Sequence, residues 1–257
     1  MVTDKGFMTN FLPIFQSYEE PQMHWRKWDR ASFFLLLLCL LAACTTSKVE
    51  LQDRDRIVFL GDSITELGDQ PGGYVSLVRD TLISRYPDLG LEVLGAGVSG
   101  NKVPDLQARL SEDVLAKHPT VVVVYIGIND VWHSTMAWGG TPIPRYAEGL
   151  RSVLSRITNT GARVVLCTPT VIGERHDGAN PLDGMLDEYA DISRQVAREL
   201  KVPLLDLRKV FLRYLRIHNP DNAGEGILTS DGVHLSDKGN QLVAGEILRV
   251  FGEKGLD

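Results

Sequence analysis

Ser63, Asp231 and His234 are the residues of this chain whose types and settings can do chemistry together. Ser63 closes the stretch Ile57-Val58-Phe59-Leu60-Gly61-Asp62-Ser63, in which an apolar run meets a glycine that permits a sharp turn. His234 stands three residues after the carboxylate in Asp231-Gly232-Val233-His234. A serine hydroxyl is a weak nucleophile near neutral pH, so a base must take its proton as it attacks. Neutral imidazole has the basicity for that, and a carboxylate on the other ring nitrogen fixes the tautomer and stabilises the imidazolium that forms. The attacked carbonyl oxygen turns negative and needs donors already aimed at it. The N–H groups of Ser63 and Gly100 and the side-chain amide of Asn129 are the candidates. These are the parts for acyl transfer through a covalent intermediate. Taken alone, Ser63 reads equally well as the cap of the helix that follows it.

The elements that must position these residues alternate along the chain. Strands are expected at Ile57–Leu60, Leu91–Leu94, Val121–Ile126, Arg163–Cys167 and Pro203–Leu207. Helical spacing separates them: Gly73 to Tyr86, Leu106-Leu110-Val114, Leu150 to Ile157, Leu186 to Leu200 and Val210–Leu215, with a last helix from Ser236 to Phe251. The unbroken β-branched run Val121–Val124 reads as a central strand buried on both faces. Strands alternating with helices imply right-handed crossovers and an α/β fold, a three-layer α/β/α sandwich on a five-stranded parallel sheet of flavodoxin-like order. All strand C-termini then share one edge, where such sheets hold their sites. Ser63, the Gly95–Asn101 segment, Asn129 and the Thr168-Pro169-Thr170 turn each follow a strand, and Asp231 and His234 precede the last helix.

The 257 residues are 44% hydrophobic and 23% charged, enough for one sizeable α/β domain. A net charge of −6 supplies no basic footprint for nucleic acid, and no protein partner is implied. Residues 1–44 read as a signal peptide rather than as fold. Trp25–Arg30 carries excess positive charge, Ala31 to Leu41 is almost wholly apolar, and the small residues Ala42 and Ala43 precede Cys44. The apolar run is shorter than the about 20 residues a spanning helix needs. Leu41-Ala42-Ala43-Cys44 resembles a bacterial lipobox, which implies a lipid on Cys44, and Met23 gives a leader of normal length. The expected location is the cell envelope, lipid-anchored and on the periplasmic side of an outer membrane where there is one; without the lipid the protein is secreted. Residues 45–55 read as a polar tether that adds nothing to the core, and 56–257 as the domain. Cys167, the one cysteine left for the mature domain and set in an apolar run, reads as a buried structural thiol.

The motifs together resemble those of the SGNH hydrolases, the GDSL family of esterases and lipases. Gly61-Asp62-Ser63-Ile64, Val98-Ser99-Gly100-Asn101, Gly127-Ile128-Asn129-Asp130 and Asp231-Gly232-Val233-His234 match its four blocks in order. The resemblance implies metal-free, cofactor-free hydrolysis of esters, with Ser63, Asp231 and His234 as catalytic triad and Ser63, Gly100 and Asn129 as oxyanion hole. Residues 169–174 and 230–240 resemble the isoamyl-acetate-hydrolysing branch, which hints at small acyl groups. The chain departs from the family at Ile64, where leucine is usual, and at Gly95, where many members carry an asparagine. The expected function is removal of short acyl groups, chiefly acetyl, from a small-molecule or carbohydrate ester. A lysophospholipase or thioesterase taking longer chains is the alternative, and a catalytically silent binding lipoprotein a third reading. Trp132 and Trp138 either line a substrate pocket or cover the sheet edge. Asp62 and Asp130 stand beside the site without the further carboxylates or histidines a metal needs, so they read as loop hydrogen-bonding groups.

Overall fold

The structure is a computed structural model that describes residues 48–256; the expectations for residues 1–44, the lipobox at Cys44 included, lie outside the described residues. The apolar runs form β1 (Arg56–Gly61), β2 (Glu92–Gly97), β3 (Val121–Tyr125), β4 (Arg163–Cys167) and β5 (Leu204–Leu205). All neighbours are parallel, in the order β2-β1-β3-β4-β5. This is the flavodoxin-like order, and it puts a topological switch point between β1 and β3. All five residues of β3 are buried, as its unbroken valine run requires. The register sets Gly61 beside both Gly97 and Tyr125, Tyr125 beside Cys167, and Cys167 beside Leu205. The five strands therefore end level with one another, and the loops that follow them open onto one edge.

Eight α-helices accompany the sheet among the described residues: α1 (Ser63–Gly68), α2 (Tyr74–Arg85), α3 (Val103–Asp113), α4 (Ile128–Trp132), α5 (Ile143–Thr158), α6 (Asp183–Leu200), α7 (Leu207–His218) and α8 (Asp237–Val250). Helices α2 and α8 pack on each other, and α5 packs on both α3 and α6. The apolar stripe of α5, Tyr146, Leu150, Val153, Leu154 and Ile157, is wholly buried, as its helical spacing requires. Cys167 is a free, buried thiol, and burial pushes it well above the ordinary thiol range.

Three of the differences from expectation change the architecture. β2 runs on through Gly95, Ala96 and Gly97, because pairing with Phe59, Leu60 and Gly61 overrides their low strand propensity. β5 is only two residues long, as an edge strand pairing with β4 alone. The third concerns the segment before Arg56. Val49 is buried, its N–H donates to the Val250 carbonyl at 2.9 Å, and Leu51 packs on the core. Asp55, 1% exposed, pairs with Arg163 and accepts from the Thr120 hydroxyl at 2.7 Å. From Val49 onward the stretch read as a tether belongs to the packed domain; its two apolar residues are too sparse to register as a pattern.

Candidate active site

The turn after β1 delivers Ser63 as the first residue of α1. Asp62 caps that helix, its Oδ1 accepting from the Ile64 N–H at 3.0 Å. The capping alternative for Ser63 therefore falls to its neighbour, and the serine hydroxyl is left for other work. Its Oγ lies 2.9 Å from His234 Nε2. His234 Nδ1 lies 2.7 Å from Asp231 Oδ2. The other oxygen of Asp231 accepts the backbone N–H groups of Val233 (3.0 Å) and His234 (2.7 Å). Burial raises the Asp231 carboxyl, but the bonds from His234 and these N–H groups outweigh it and hold the group below the ordinary carboxylate range. An ionised Asp231 thus keeps the Nδ1 proton on the ring and leaves the Nε2 lone pair free to accept from Ser63.

Asp231 and His234 ride on a small hairpin. Thr229 bridges Leu235 in antiparallel fashion, and the Ser230 N–H donates to the His234 carbonyl at 2.8 Å. The ring of Trp132, at the end of α4, meets the His234 ring edge-on with centroids 6.4 Å apart. Trp138 behaves differently: it is 68% exposed and lines an open cleft of about 650 Å³ together with Gly100, Asn101, Lys102, Asp105 and His133. Among the described residues the buried Nδ1 atom of His133 has no hydrogen-bond partner, and burial together with the nearby Lys102 charge lowers the basicity of that ring.

The donor candidates occupy the same edge. Gly100 sits at φ +75°, a left-handed conformation open to glycine, at the turn closed by the Asn101 N–H on the Val98 carbonyl. Asn129 is buried in the first turn of α4, and its Nδ2 donates to the Asn101 carbonyl at 3.1 Å, which leaves its second amide hydrogen uncommitted by that bond. The Ser63 N–H lies in the first turn of α1, where a helix supplies no acceptor. Asp130, next to Asn129, ties α4 to the start of α3. Its carboxylate accepts from the Val103 N–H at 3.1 and 3.3 Å, and its carbonyl accepts from the Thr141 N–H. Burial pushes Asp62 up to about 7, against the pull of the Ile64 N–H, and Asp130 up to about 6, against the Thr141 side chain and the Val103 N–H. Among the described residues no group of three or more His, Cys, Asp or Glu is placed to hold a metal ion.

The family model for the GDSL-like lipase/acylhydrolase family matches residues 59–242. The chain belongs to that family. It is 33% identical over 214 residues to an acetylxylan esterase of Geobacillus stearothermophilus, covering 77% of this chain and 94% of that protein. It is 28% identical to the isoamyl acetate-hydrolyzing esterase 1 homolog of Rattus norvegicus, covering 80% of this chain and 83% of that one. A lipoprotein of Bacillus subtilis, YqeF, is 26% identical, over 82% of this chain and 94% of its own. Among solved structures, the acetyl xylan esterase AlAXEase superposes with a TM-score of 0.74 at 41% identity, over 76% of this chain and 98% of that chain. The GDSL-like protein is accordingly a carboxylic ester hydrolase on an SGNH-hydrolase fold.

Two residues that hold the site together escape sequence reasoning. Glu66 of α1 accepts the Ser99 N–H at 2.7 Å and the Ser99 hydroxyl, tying the Gly100 turn to the helix that Ser63 opens. Arg109 of α3 donates to the carbonyls of Gly61 (2.8 Å) and Ala96 (3.0 Å) and to Asn101 Oδ1 (2.6 Å), stitching the ends of β1 and β2 to the same turn. Gly95, where the family resemblance leads one to expect an asparagine, lies in β2 just before that turn. A side chain at that position would meet the Asp69 carboxylate at 2.4 Å, so glycine is the residue that fits. The signal for Arg109 is slight: a cation between Leu106 and Leu110 on the helix's apolar side.

Proposed function

We propose that the protein is a serine esterase that removes short acyl groups, chiefly acetyl, from carbohydrate or small-molecule esters. Ser63 Oγ attacks the ester carbonyl while Nε2 of His234 takes the hydroxyl proton. Asp231 stabilises the imidazolium formed. The oxyanion of the tetrahedral intermediate is met by the N–H groups of Ser63 and Gly100 and by the Asn129 amide. The carbon–oxygen bond to the alcohol breaks, His234 returns the proton to that alcohol, and the acyl group stays on Ser63. A water then gives a proton to His234 and attacks the acyl carbon, the bond to Ser63 Oγ breaks, His234 returns the proton to Oγ, and the acid leaves.

The observation that carries this reading is the continuous hydroxyl–imidazole–carboxylate chain, with bonds of 2.9 and 2.7 Å, on the same edge as the Gly100 cleft. The character of the cleft supports the substrate class. Asn101, Lys102 and Asp105 line it with polar groups, and one exposed tryptophan offers a flat face, a combination suited to a polyhydroxylated alcohol rather than to a long acyl chain. The kinship with an acetylxylan esterase supports it further. Cys44 after an apolar run, together with the lipoprotein relative, supports anchoring at the cell envelope through lipid.

Initial rates on p-nitrophenyl esters from acetate to palmitate, with acetylated xylan alongside, test the reading. Acetate and the acetylated polysaccharide are expected to turn over fastest. A maximum at long chains replaces this reading with the lysophospholipase or thioesterase one. Mass spectrometry of the mature N-terminus tests the anchor: a diacylglyceryl-modified Cys44 is expected, and an unmodified terminus elsewhere makes the enzyme a secreted one.

A further inference from the structure

Glu174 belongs to a sequence block, Pro169–Glu174, that the proposed chemistry leaves without a task. It follows β4, and it is completely buried. Its Oε1 accepts the N–H of Leu228 (2.6 Å), the N–H of Thr229 (2.5 Å) and the Thr229 hydroxyl (2.8 Å), and its Oε2 accepts the N–H of Ile227 (2.7 Å). Three consecutive backbone donors converge on one carboxylate, and it makes no ion pair among the described residues. A charge buried without a counter-ion is tolerated only where such donors saturate it.

The gathered backbone is the base of the hairpin that presents Asp231 and His234. Thr229, the last residue held, pairs with Leu235 across the hairpin. The neighbouring loop residue grips the tip: the Gly173 N–H donates to the Gly232 carbonyl at 2.8 Å. The Glu174 N–H donates to the Gly224 carbonyl at 2.8 Å, where the approach to the hairpin begins. One short loop after β4 therefore holds the hairpin at its approach, base and tip. Across the sheet edge, Ser63 is fixed by a different strand. The Ser63–His234 distance depends on both supports.

We propose that Glu174 is the positioning residue of the acid–base arm, holding the Asp231–His234 hairpin at the distance from Ser63 that proton transfer needs. This rests on the serine-esterase reading of the same site. Glutamine at this position retains an acceptor at Oε1 for three donors and sets an N–H₂ group against the Ile227 N–H. Alanine removes all four bonds. Displacing a reacting group by about 1 Å costs on the order of 10²-fold in rate. Glu174→Ala is therefore expected to lower kcat about 100-fold and Glu174→Gln about tenfold, with KM nearly unchanged.

The test measures kcat and KM on p-nitrophenyl acetate for wild type, Glu174→Gln and Glu174→Ala, each alone and combined with His234→Ala, and follows melting by circular dichroism. With His234 gone, the hairpin has nothing left to position, and the Glu174 substitutions are expected to cost nothing further. A general loss of structure would lower both backgrounds in parallel and would overturn the proposal. Nitrogen NMR supplies an arm independent of turnover, through the hydrogen-bond-shifted resonance of His234 Nε2, the atom that faces Ser63 Oγ. It is expected in wild type and lost or shifted in Glu174→Gln, whose milder change keeps a cooperative melt. An unchanged resonance overturns the proposal. A wild type silent on every ester refutes the esterase reading instead, and the resonance still decides the role of Glu174.

Discussion

Replacing Asp231 with asparagine isolates the carboxylate's electronic role, because the structure separates its two oxygens by task. Oδ1 accepts two backbone N–H groups, at 3.0 and 2.7 Å, and Oδ2 alone faces His234 Nδ1. Asparagine keeps the first pair with its carbonyl oxygen and turns an N–H₂ group toward Nδ1. The ring must then accept at Nδ1 and carry its proton on Nε2, which points a hydrogen at Ser63 Oγ where a lone pair is needed. Side-chain volume and the backbone bonds are retained, so the hairpin and the fold are expected to survive. Holding the wrong tautomer costs a serine–histidine pair about 10⁴-fold in kcat, or about 5 kcal/mol of barrier. Steady-state rates on p-nitrophenyl acetate at pH 7.5, with a far-ultraviolet dichroism spectrum for each protein, measure it. A fall of less than tenfold with the spectrum unchanged would refute the tautomer argument and leave Asp231 a loop residue.

Three further outcomes follow from the same geometry. Asn129→Ala is expected to lower kcat by about 10²- to 10³-fold with a smaller change in KM, because the charge it meets exists mainly in the transition state; a change confined to KM would make Asn129 a substrate-binding group. Burial holds the Asp62 carboxyl up near 7, so the folded state binds more protons than the unfolded chain between pH 4 and that value. Its contribution to stability is therefore lost as pH rises through that window. Asp62→Asn, which keeps the bond from the Ile64 N–H, is expected to flatten the pH dependence of the urea midpoint between pH 5 and 8. Unchanged curvature would show that Asp62 does not titrate there. A chain beginning at Arg56 loses Val49, whose burial is worth about 1.5–3 kcal/mol, and leaves Arg163 without Asp55. It is expected to melt several degrees below a chain beginning at Thr45, and equal melting would mean that residues 48–55 do not pack.

Much of this molecule is legible because its signals are local. The valine run of β3 announces a central strand, and a strand, a glycine and a serine in succession announce the turn at Ser63. Asp231 and His234 lie three residues apart, so their partnership needs no knowledge of the fold. Arg109, Glu66 and Glu174 are illegible for the opposite reason. Most of their partners are backbone groups, some dozens of residues away, and a backbone N–H or carbonyl leaves no trace in the residue type that carries it. Val49 is missed because one buried valine in a polar stretch has no period. Trp132 and Trp138 share a loop and a residue type but differ in burial, and only the tertiary placement of His234 separates them.

The central claim is that His234 and Asp231 make Ser63 the nucleophile. Intact-protein mass spectrometry after incubation with a fluorophosphonate, followed by peptide mapping, tests it without reference to the natural ester. Wild type is expected to gain one adduct, located on Ser63, while Ser63→Ala, folded to the same extent, gains none. An adduct on another serine, or undiminished labelling of Ser63→Ala, would contradict the account.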